Sequence, residues 1–260
     1  MAGWRLLDTG ARDGAWNMAA DVALMERARR SGQTVFRAYA WSCPTLSFGR
    51  HESARARFSA ARIAAAGLDT VRRPTGGRAL LHDHEVTYSV TAPVDASESL
   101  GDSVRRINGI LRRALGRLGV DAVEADAPRS LRPEGAACFA VPAPGELTLG
   151  GRKIAGSAQV RHDGALLQHG SILLDDDQGR IASLTDGPFL GAAPAASLRE
   201  ALGAEVGFAD VRDALFHEVA LLARRPAASL VLPLDDDALS APSLQAPLAQ
   251  FRDVAWTWRR

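Results

Sequence analysis

The chain has 260 residues, of which 47% are hydrophobic and 23% are charged, and its formal net charge is +1. This composition is typical of a globular protein with a sizeable core, and the near-neutral charge provides no bulk basic field that would attract nucleic acid. No apolar run reaches the roughly 18 residues that a membrane span needs, and the first residues lack the pattern of a signal peptide. We therefore expect a cytoplasmic protein that binds neither nucleic acid nor membrane.

The cysteines exclude two further classes of protein. There are only two, Cys43 and Cys138. Two cysteines are too few for a disulfide framework or a thiolate metal site, so we expect no metal.

Hydrophobic periodicity and turn residues predict alternating strands and helices. Strands are predicted at 4–7, 35–40, 70–73 and 86–90, and helices at 17–32 with Asn17 as N-cap, 53–66, 102–118 and 211–222. Two hairpins are predicted, 146–149 with 152–155 around Gly150-Gly151, and 157–161 with 165–168 around Asp163-Gly164. Residues 128–133 and 226–247 are predicted as loops, with the tail 256–260 packing back.

These elements predict an α/β (α+β) fold, a mixed β-sheet core with flanking helices. The pattern offers no domain boundary before about residue 226. We therefore predict one catalytic domain over residues 1–225, and a C-terminal extension over residues 226–260 that packs on the same domain.

The sequence contains a single lysine, Lys153, and its other 30 basic residues are arginines. Lysine can become a neutral amine when it is buried or crowded, whereas arginine stays charged. The position of Lys153 in the glycine-rich segment 150–159 therefore suggests that this site needs an amine. The alternative is that a coding bias removed the other lysines and left this one by chance.

A first candidate site lies in the segment 72–83. The adjacent Gly76 and Gly77 allow backbone N–H groups to approach an anion or a carbonyl oxygen closely. Nearby arginines add fork-shaped donors for phosphate or carboxylate. A surface turn with basic flanks is the alternative interpretation.

A second candidate site lies in residues 150–170. Gly156 and Ser157 belong to a predicted strand, where a glycine suggests close approach by a ligand or by another strand. His169, which precedes Gly170, could position a substrate carbonyl, or it could be a structural hydrogen-bonding group.

Cys138 is the third candidate. A nearby ammonium lowers the pKa of a thiol from about 8.5 and so favours the nucleophilic thiolate. Lys153 lies 15 residues downstream, across a loop and a hairpin, so the chain can return it to Cys138. We predict a dyad in which Cys138 is the nucleophile and Lys153 is its cationic partner and proton shuttle. Alternatively, Cys138 is a small buried apolar residue. Cys43 lacks such neighbours and is predicted to be structural.

Five segments together resemble the lipoate- and biotin-protein ligase superfamily and look most like its protein octanoyltransferase branch. Each is weak alone, but they occur in the family's order and at similar spacing. They are residues 17–21, residues 72–79 with His82-Asp83, Cys138-Phe139, residues 151–159 and residues 168–175.

The resemblance implies the α/β core shared with biotin ligases and class II aminoacyl-tRNA synthetases. It implies an acyltransferase that moves an octanoyl group from octanoyl-acyl carrier protein to a lysine of a lipoyl domain, such as glycine cleavage H protein, with no cofactor. Cys138 would form the thioester and Lys153 would contact the acyl carbonyl. The residues that would line the acyl tunnel or bind substrate are Arg72, Arg73, Gly76, Gly77, Arg78, His82, Gly156, Ser157, Ala158, His169 and Gly170.

The sequence departs from the family pattern near Cys138. Ala140 stands where an acidic residue is expected, and Pro144-Gly145 stand where bulky aromatic residues are expected. These departures bear on how the loop closes and meets the acceptor domain.

Three alternatives stay open. An ATP-dependent lipoate ligase would use ATP and Mg, with Arg72, Arg73 and Lys153 around an acyl-adenylate. An amidotransferase would move octanoate between lipoyl domains. A lipoyl-domain binding module would have lost catalysis.

Overall fold

A computed structural model describes residues 3–126, 145–186 and 194–259. Its strands are β1 (Trp4–Arg12), β2 (Thr34–Trp41), β3 (Thr45–Phe48), β4 (Asp69–Arg72), β5 (Leu80–His82), β6 (Glu85–Pro93), β7 (Val123–Glu124), β8 (Leu147–Leu149), β9 (Arg152–His162) and β10 (Ala165–Leu173). Its α-helices are α1 (Gly14–Ser31), α2 (Ala54–Arg57), α3 (Ala60–Ala65), α4 (Leu100–Arg117), α5 (Leu198–Leu202), α6 (Phe208–Ala223), α7 (Ala241–Arg252) and α8 (Val254–Thr257). Short 3₁₀ turns cover Gln178–Leu184, Ala227–Ser229 and Asp237–Leu239.

Within these residues the main sheet has the strand order β1-β2-β6-β10-β9-β8-β7. Only β1 and β2 pair in parallel, and the other neighbours pair antiparallel. A second, smaller sheet has the order β4-β3-β5. The predicted mixed sheet with flanking helices is therefore confirmed.

Helices cover both faces of the main sheet. Successive residues of a strand point to opposite faces, so Val35 packs with α1 and α7, whereas Phe36 packs with α4 and α6. Double coverage explains why β6 and β10 are buried almost throughout instead of alternating between buried and exposed positions. We refer below to the α1 face and the α4 face.

Both predicted hairpin turns are confirmed. Gly150 and Gly151 join β8 to β9 with φ of 56° and 77°, and Asp163 and Gly164 join β9 to β10 with φ of 48° and 76°. Two successive positive φ values characterise the type I′ turn, which matches the twist of the strands that it connects.

Two predictions at the start of the chain are wrong. The first strand is longer than residues 4–7, because its pairing with β2 continues to Arg12. The N-cap of α1 is Asp13, whose carboxylate accepts the Trp16 N–H at 2.7 Å. Asn17 lies inside the helix, where its buried amide donates to the carbonyl oxygens of Arg12 and Ala40.

Two later predictions also need correction. Residues 53–66 form α2 and α3 rather than one helix, because Phe58 between them is extended and bridges Thr185. Residues 226–247 contain two 3₁₀ turns and the first part of α7, where a proline in the first turn is compatible with helix.

The chain after residue 226 packs on β1 and α1. Leu230 and Leu232 exchange backbone hydrogen bonds with Leu6. Leu244 and Phe251 of α7 join the buried cluster that includes α1. No helix in the described ranges is long and apolar enough to cross a bilayer.

Asp177 is a poorly solvated carboxylate near the end of β5. Burial, together with the negative charge of Asp83, raises the pKa of Asp177 from 3.8 to about 6. Because the folded state holds this proton more tightly than the unfolded state, ionisation of Asp177 opposes folding.

We expect Asp177→Asn to raise the melting temperature at pH 7.5 to 8, because the amide removes the unfavourable charge. The gain should shrink as the pH falls through about 6 towards 4, where the native carboxyl is protonated. Thermal melts across this pH range measure the gain, and Asp121→Asn, at an exposed position, is the control. A gain at pH 5 equal to that at pH 8 would contradict the assignment.

Gly170 permits close contact between β10 and its neighbours. A Cβ on Gly170 would lie 2.2 Å from the Gly156 carbonyl oxygen and 2.9 Å from the Tyr88 ring. A backbone oxygen cannot move aside as the end of a flexible side chain can, so the central strands must shift to accept any larger residue.

We therefore expect Gly170→Ala to destabilise the protein by about 1–3 kcal/mol, the usual cost of overpacking. Gly116→Ala on α4 is the matched control, since nothing lies within 4 Å of its added Cβ. That change should stabilise by roughly 0.5–1 kcal/mol through helix propensity. Denaturant titration measures both, and a neutral Gly170→Ala would show that the strands are not in tight contact.

Candidate active site

A cavity opens among β2, β5, β6, β9 and β10 below α1, enclosing about 340 Å³ including its mouth. The accessible wall of the cavity is mostly apolar. The lining residues are Met18, Tyr39, Trp41, Arg73, Leu80, His82, Thr87, Gly156, Ser157, Ala158, His169, Gly170 and Ser171. The cavity suits an apolar chain held by a few polar groups.

Seven predicted substrate-binding residues line this cavity, namely Arg73, His82, Gly156, Ser157, Ala158, His169 and Gly170. The four others, Arg72, Gly76, Gly77 and Arg78, are not among its lining residues.

Arg73 holds the glycine loop in place. Its Nη2 donates to the Arg78 carbonyl oxygen at 2.7 Å and to that of Gly76 at 3.4 Å. A Cβ on Gly49 would lie 1.9 Å from the Gly77 carbonyl oxygen, so this loop rests against the end of β3. The loop is thus fixed by backbone contact and by a buried guanidinium.

Arg72 points towards the C-terminal tail. Its Nε donates to the Thr257 carbonyl oxygen at 2.9 Å, and its Nη1 donates to the carbonyl oxygens of Gly49 and Glu52 at 2.7 and 2.9 Å. The side chain is fully buried. These contacts tie α8 to the end of β3, and a role for Arg72 in substrate binding stays a prediction.

His82 belongs to a buried relay of side chains. Its Nδ1 lies 2.6 Å from Glu85 Oε1, its Nε2 lies 2.6 Å from Ser47 Oγ, and its ring stacks on Trp41 at 3.9 Å between centroids. Burial lowers the pKa of His82, despite the opposing effect of Glu85. Since Arg73 donates to Ser47 Oγ, that hydroxyl can donate to a neutral His82 whose proton is on Nδ1.

His169 forms a second relay, from α1 to the glycine loop. Its Nδ1 lies 3.0 Å from Asp21 Oδ2, and its Nε2 lies 2.6 Å from Thr75 Oγ1. Burial alone would raise the pKa of Asp21, but the hydrogen bond with His169 and the charge of Arg37 lower it below its usual value. The two histidines thus connect the cavity wall to fixed carboxylates.

Lys153 is buried, with 1% of its side chain exposed, and its Nζ lies 2.7 Å from Glu146 Oε1. A buried charge is tolerated when a counter-charge and hydrogen bonds accompany it. The ion pair therefore favours an ammonium here, rather than the neutral amine that the sequence suggested as an option.

A β-bulge determines which face Lys153 occupies. Leu147 pairs with Ala155, but the next residue of β8, Thr148, pairs with Lys153, so Ile154 is an extra residue in β9. Adjacent β8 residues point to opposite faces, and so do their partners. The bulge therefore places Lys153 on the α1 face, the face that holds the cavity, although Ala155 two residues later is on the α4 face.

Cys138 lies outside the described residues, as do Ala140 and Pro144. Its predicted approach to Lys153 therefore stays a prediction.

Cys43 is half-buried, its Sγ lies 3.0 Å from Asp69 Oδ2, and burial raises the pKa of its thiol. These surroundings disfavour the thiolate and fit the structural role predicted for Cys43.

Within the described ranges, one group has metal-ligand geometry. Ligand atoms of Asp83, His84 and Asp177 lie within 4.8 Å of one another. Arg180 Nη1 is already 3.2 Å from Asp83 and 3.7 Å from Asp177, so a protein cation occupies this corner. The group is not among the lining residues of the cavity.

The three carboxylates that orient the site side chains, Glu146, Asp21 and Glu85, are not among the residues predicted from the sequence. For Asp21 a signal existed, because Asn17 and Asp21 lie four residues apart on one helix face. Both accept hydrogen bonds from the buried Arg37, at 2.6 and 2.8 Å. For Glu146 no local pattern gave a signal, because its partner lies across a hairpin.

Comparison with known proteins identifies the family to which the chain belongs. The model of the lipoyl protein ligase A/B catalytic domain matches residues 13–220. Octanoyltransferase LipM of Symbiobacterium thermophilum is 41% identical over 227 residues, covering 81% of this chain and 83% of the relative. Octanoyltransferase LipM of Kyrpidia tusciae is 44% identical over 186 residues, covering 68% of each chain.

A solved structure supports the fold. The bi-partite lipoate protein ligase of Thermoplasma acidophilum is 18% identical and superposes with a TM-score of 0.77, covering 99% of this chain and 97% of that chain. Identity at this level shows the fold alone. The family match and the two relatives show more: this chain belongs to the lipoyl protein ligase A/B catalytic domain family, as the motifs in its sequence predicted.

Proposed function

We propose that the chain is an octanoyltransferase that moves an octanoyl group from octanoyl-acyl carrier protein to a lysine of a lipoyl domain, through a thioester on Cys138. The two relatives that are named octanoyltransferase LipM, at 41% and 44% identity, support the transfer of an octanoyl group. The cytoplasmic location that we expect from the sequence is part of this proposal.

One observation carries the proposal: the only lysine of the chain is buried on the same sheet face as the apolar cavity. Gly156, three residues after Lys153, already lines the cavity. An ammonium at this position could contact an acyl carbonyl whose chain occupies the cavity, and could stabilise a nearby thiolate.

The first step is exchange of thioesters. The Cys138 thiolate attacks the carbonyl carbon of octanoyl-acyl carrier protein, and the bond to the carrier sulfur breaks. The carrier leaves as a thiol and takes up the proton that Cys138 released, with Lys153 as the shuttle. One thioester replaces another, so the step needs no ATP.

The second step forms the amide. The target lysine amine of the lipoyl domain attacks the enzyme thioester, the carbon–sulfur bond breaks, and a proton from the amine returns to Cys138. Backbone N–H groups near Gly76-Gly77 and Gly156-Ser157 are candidate donors to the transient oxyanion, a contribution typically of a few kcal/mol per donor.

The cavity supplies selectivity for an apolar acyl chain. Its lining includes Met18, Trp41 and Leu80. Burial of the seven methylene and methyl groups of an octanoyl chain, at ~0.8 kcal/mol each, gives on the order of 5 kcal/mol of gross binding energy. Burial of the acyl chain would thus hold its carbonyl group near the polar lining residues, such as His169.

The acceptor is a lipoyl domain, and the glycine cleavage H protein is one candidate. The donor distinguishes three enzyme classes. The proposed octanoyltransferase takes the acyl group from the carrier protein, an amidotransferase takes it from another lipoyl domain, and an ATP-dependent ligase uses lipoate with ATP and Mg. A lipoyl-domain binding module would accept an acyl group from none of them.

We expect octanoyl-acyl carrier protein to add one octanoyl group to the protein in intact-mass analysis, and Cys138→Ala to abolish the adduct. Transfer to a lipoyl domain should fall on the order of 10³-fold or more without the nucleophile. Cys43→Ala is the matched control and should keep the adduct. An adduct that persists in Cys138→Ala, or modification only with lipoate and ATP, would contradict the proposal.

Lys153→Arg keeps the positive charge but cannot release a proton. We expect it to lower the rate of transfer roughly 100-fold or more, the scale of general acid–base catalysis. The control is the neighbouring Arg152→Ala, whose side chain pairs with Glu200 at the surface. Transfer by Lys153→Arg at the wild-type rate would exclude proton transfer by Lys153.

A further inference from the structure

We infer that Glu146 and Asn108 are positioning residues that hold Lys153 as an ammonium on the cavity face. The inference rests on the proposed function of Lys153 and extends it to two residues that no sequence motif indicated. Glu146 supplies the counter-charge, and Asn108 fixes the backbone that carries Glu146.

The counter-charge is buried with the charge that it balances. Lys153 Nζ is 2.7 Å from Glu146 Oε1, and the side chains are 1% and 13% exposed. An ammonium removed from water to this extent would lose its proton more readily without a carboxylate partner. The Glu146 carboxylate therefore favours the ammonium form of Lys153.

The backbone around Glu146 is held on both sides. Its carbonyl oxygen accepts the Ala125 N–H at 2.8 Å, and the Gly145 N–H donates to the Ala125 carbonyl oxygen at 3.1 Å. Gly145 has φ of 79°, a conformation that favours glycine. Glycine at residue 145 therefore permits the turn that presents Glu146.

Asn108 fixes this turn from α4. It is 2% exposed and sits among the apolar residues of the helix, where an unpaired amide would be costly. Its Nδ2 donates to the Gly145 carbonyl oxygen, and its Oδ1 accepts from Gln168 Nε2 at 3.3 Å. A buried amide with partners on both ends holds the segment before Glu146 at a fixed distance from the sheet.

The same network reaches the cavity wall. Gln168 Nε2 also donates to Tyr88 Oη at 2.9 Å, and Tyr88 Oη lies 2.7 Å from the hydroxyl oxygen of Ser157, a residue that lines the cavity. Burial raises the pKa of Tyr88 to about 12, and the charge of Glu146 contributes to the rise. Tyr88 therefore stays protonated at working pH, and the wall, Asn108 and Glu146 form one connected unit.

Among the residues that the structure describes, two other charged groups near Lys153 have partners of their own. Arg152, its neighbour on β9, pairs with Glu200 of α5, and Asp176 accepts the Ala195 N–H at 2.9 Å. The Lys153 carbonyl oxygen accepts the Ala196 N–H at 3.0 Å, which fixes the backbone of the lysine itself. Removal of the Glu146 carboxylate should therefore change the charge state of Lys153.

The single lysine allows a direct test. In the full chain grown with isotope-labelled lysine, NMR shows one lysine side chain, and its chemical shift against pH reports its ionisation. We expect Glu146→Gln to move this titration to lower pH by at least about one unit relative to the unmodified chain. Glu146→Asp keeps the charge and should titrate close to the unmodified chain, and Glu146→Ala replaces the glutamine variant if that variant does not fold.

The pH dependence of octanoyl transfer gives a second readout. We expect the alkaline limb of the Glu146→Gln profile to move to lower pH with the lysine titration. Asn108→Leu should reduce the rate of octanoyl transfer at least about tenfold. It should also move the lysine titration to lower pH, by less than Glu146→Gln does. Ser103→Ala is the matched control, a buried polar residue of the same helix that contacts Gln159 instead of Gly145; it should stay within about twofold.

The outcomes separate this inference from the proposed function. A lysine titration unchanged in folded Glu146→Gln, or in folded Glu146→Ala, overturns the inference, whatever the activity. Equal effects of Asn108→Leu and Ser103→Ala on transfer overturn the role of Asn108. Absence of octanoyl transfer by the unmodified chain overturns the proposed function, whereas the NMR titration still decides whether Glu146 controls the charge of Lys153.

Discussion

The buried ion pair between Lys153 and Glu146 is the constraint on which the site depends. An ammonium with 1% exposure persists only where a carboxylate accompanies it, and the two atoms are 2.7 Å apart. The extra residue Ile154 in β9 turns this lysine towards the cavity face. A regular strand would place it with Ala155 on the α4 face. The position of the only lysine therefore follows from one bulge and one carboxylate.

The rest of the cavity is built on the same principle. The pKa shifts at His82, Glu85 and Asp21 all arise from burial opposed by partner charges and hydrogen bonds. Each of these side chains also has hydrogen-bond partners within the protein, which hold it in one arrangement before any ligand binds. Acyl transfer benefits from such preorganisation, because fixed donors need not reorganise as charge develops on the carbonyl oxygen. The close contact at Gly170 keeps the central strands, which carry these groups, in a fixed register.

Local sequence patterns predicted the features that local physics determines. The two type I′ turns, the amphipathic α4 and the mixed sheet follow from glycine positions and hydrophobic periodicity. The predicted N-cap of α1 was wrong because Asp13 and Asn17 are both good capping residues. Tertiary contacts hold Asn17 inside the helix, so Asp13 caps it. Glu146 could not be found from sequence, because its role arises from pairing across a hairpin. The motif-based choice of Arg72 could not distinguish a guanidinium facing the cavity from one facing the C-terminal tail.

We propose that Lys153 meets the acyl group as an ammonium on the cavity face. A crystal structure of the octanoylated protein tests it most directly. We expect the octanoyl chain to lie in the cavity beside Gly156 and His169, with Lys153 Nζ within about 3.2 Å of the thioester carbonyl oxygen or sulfur. An acyl chain bound elsewhere, or a Lys153 side chain on the opposite face of the sheet from the thioester, would contradict it.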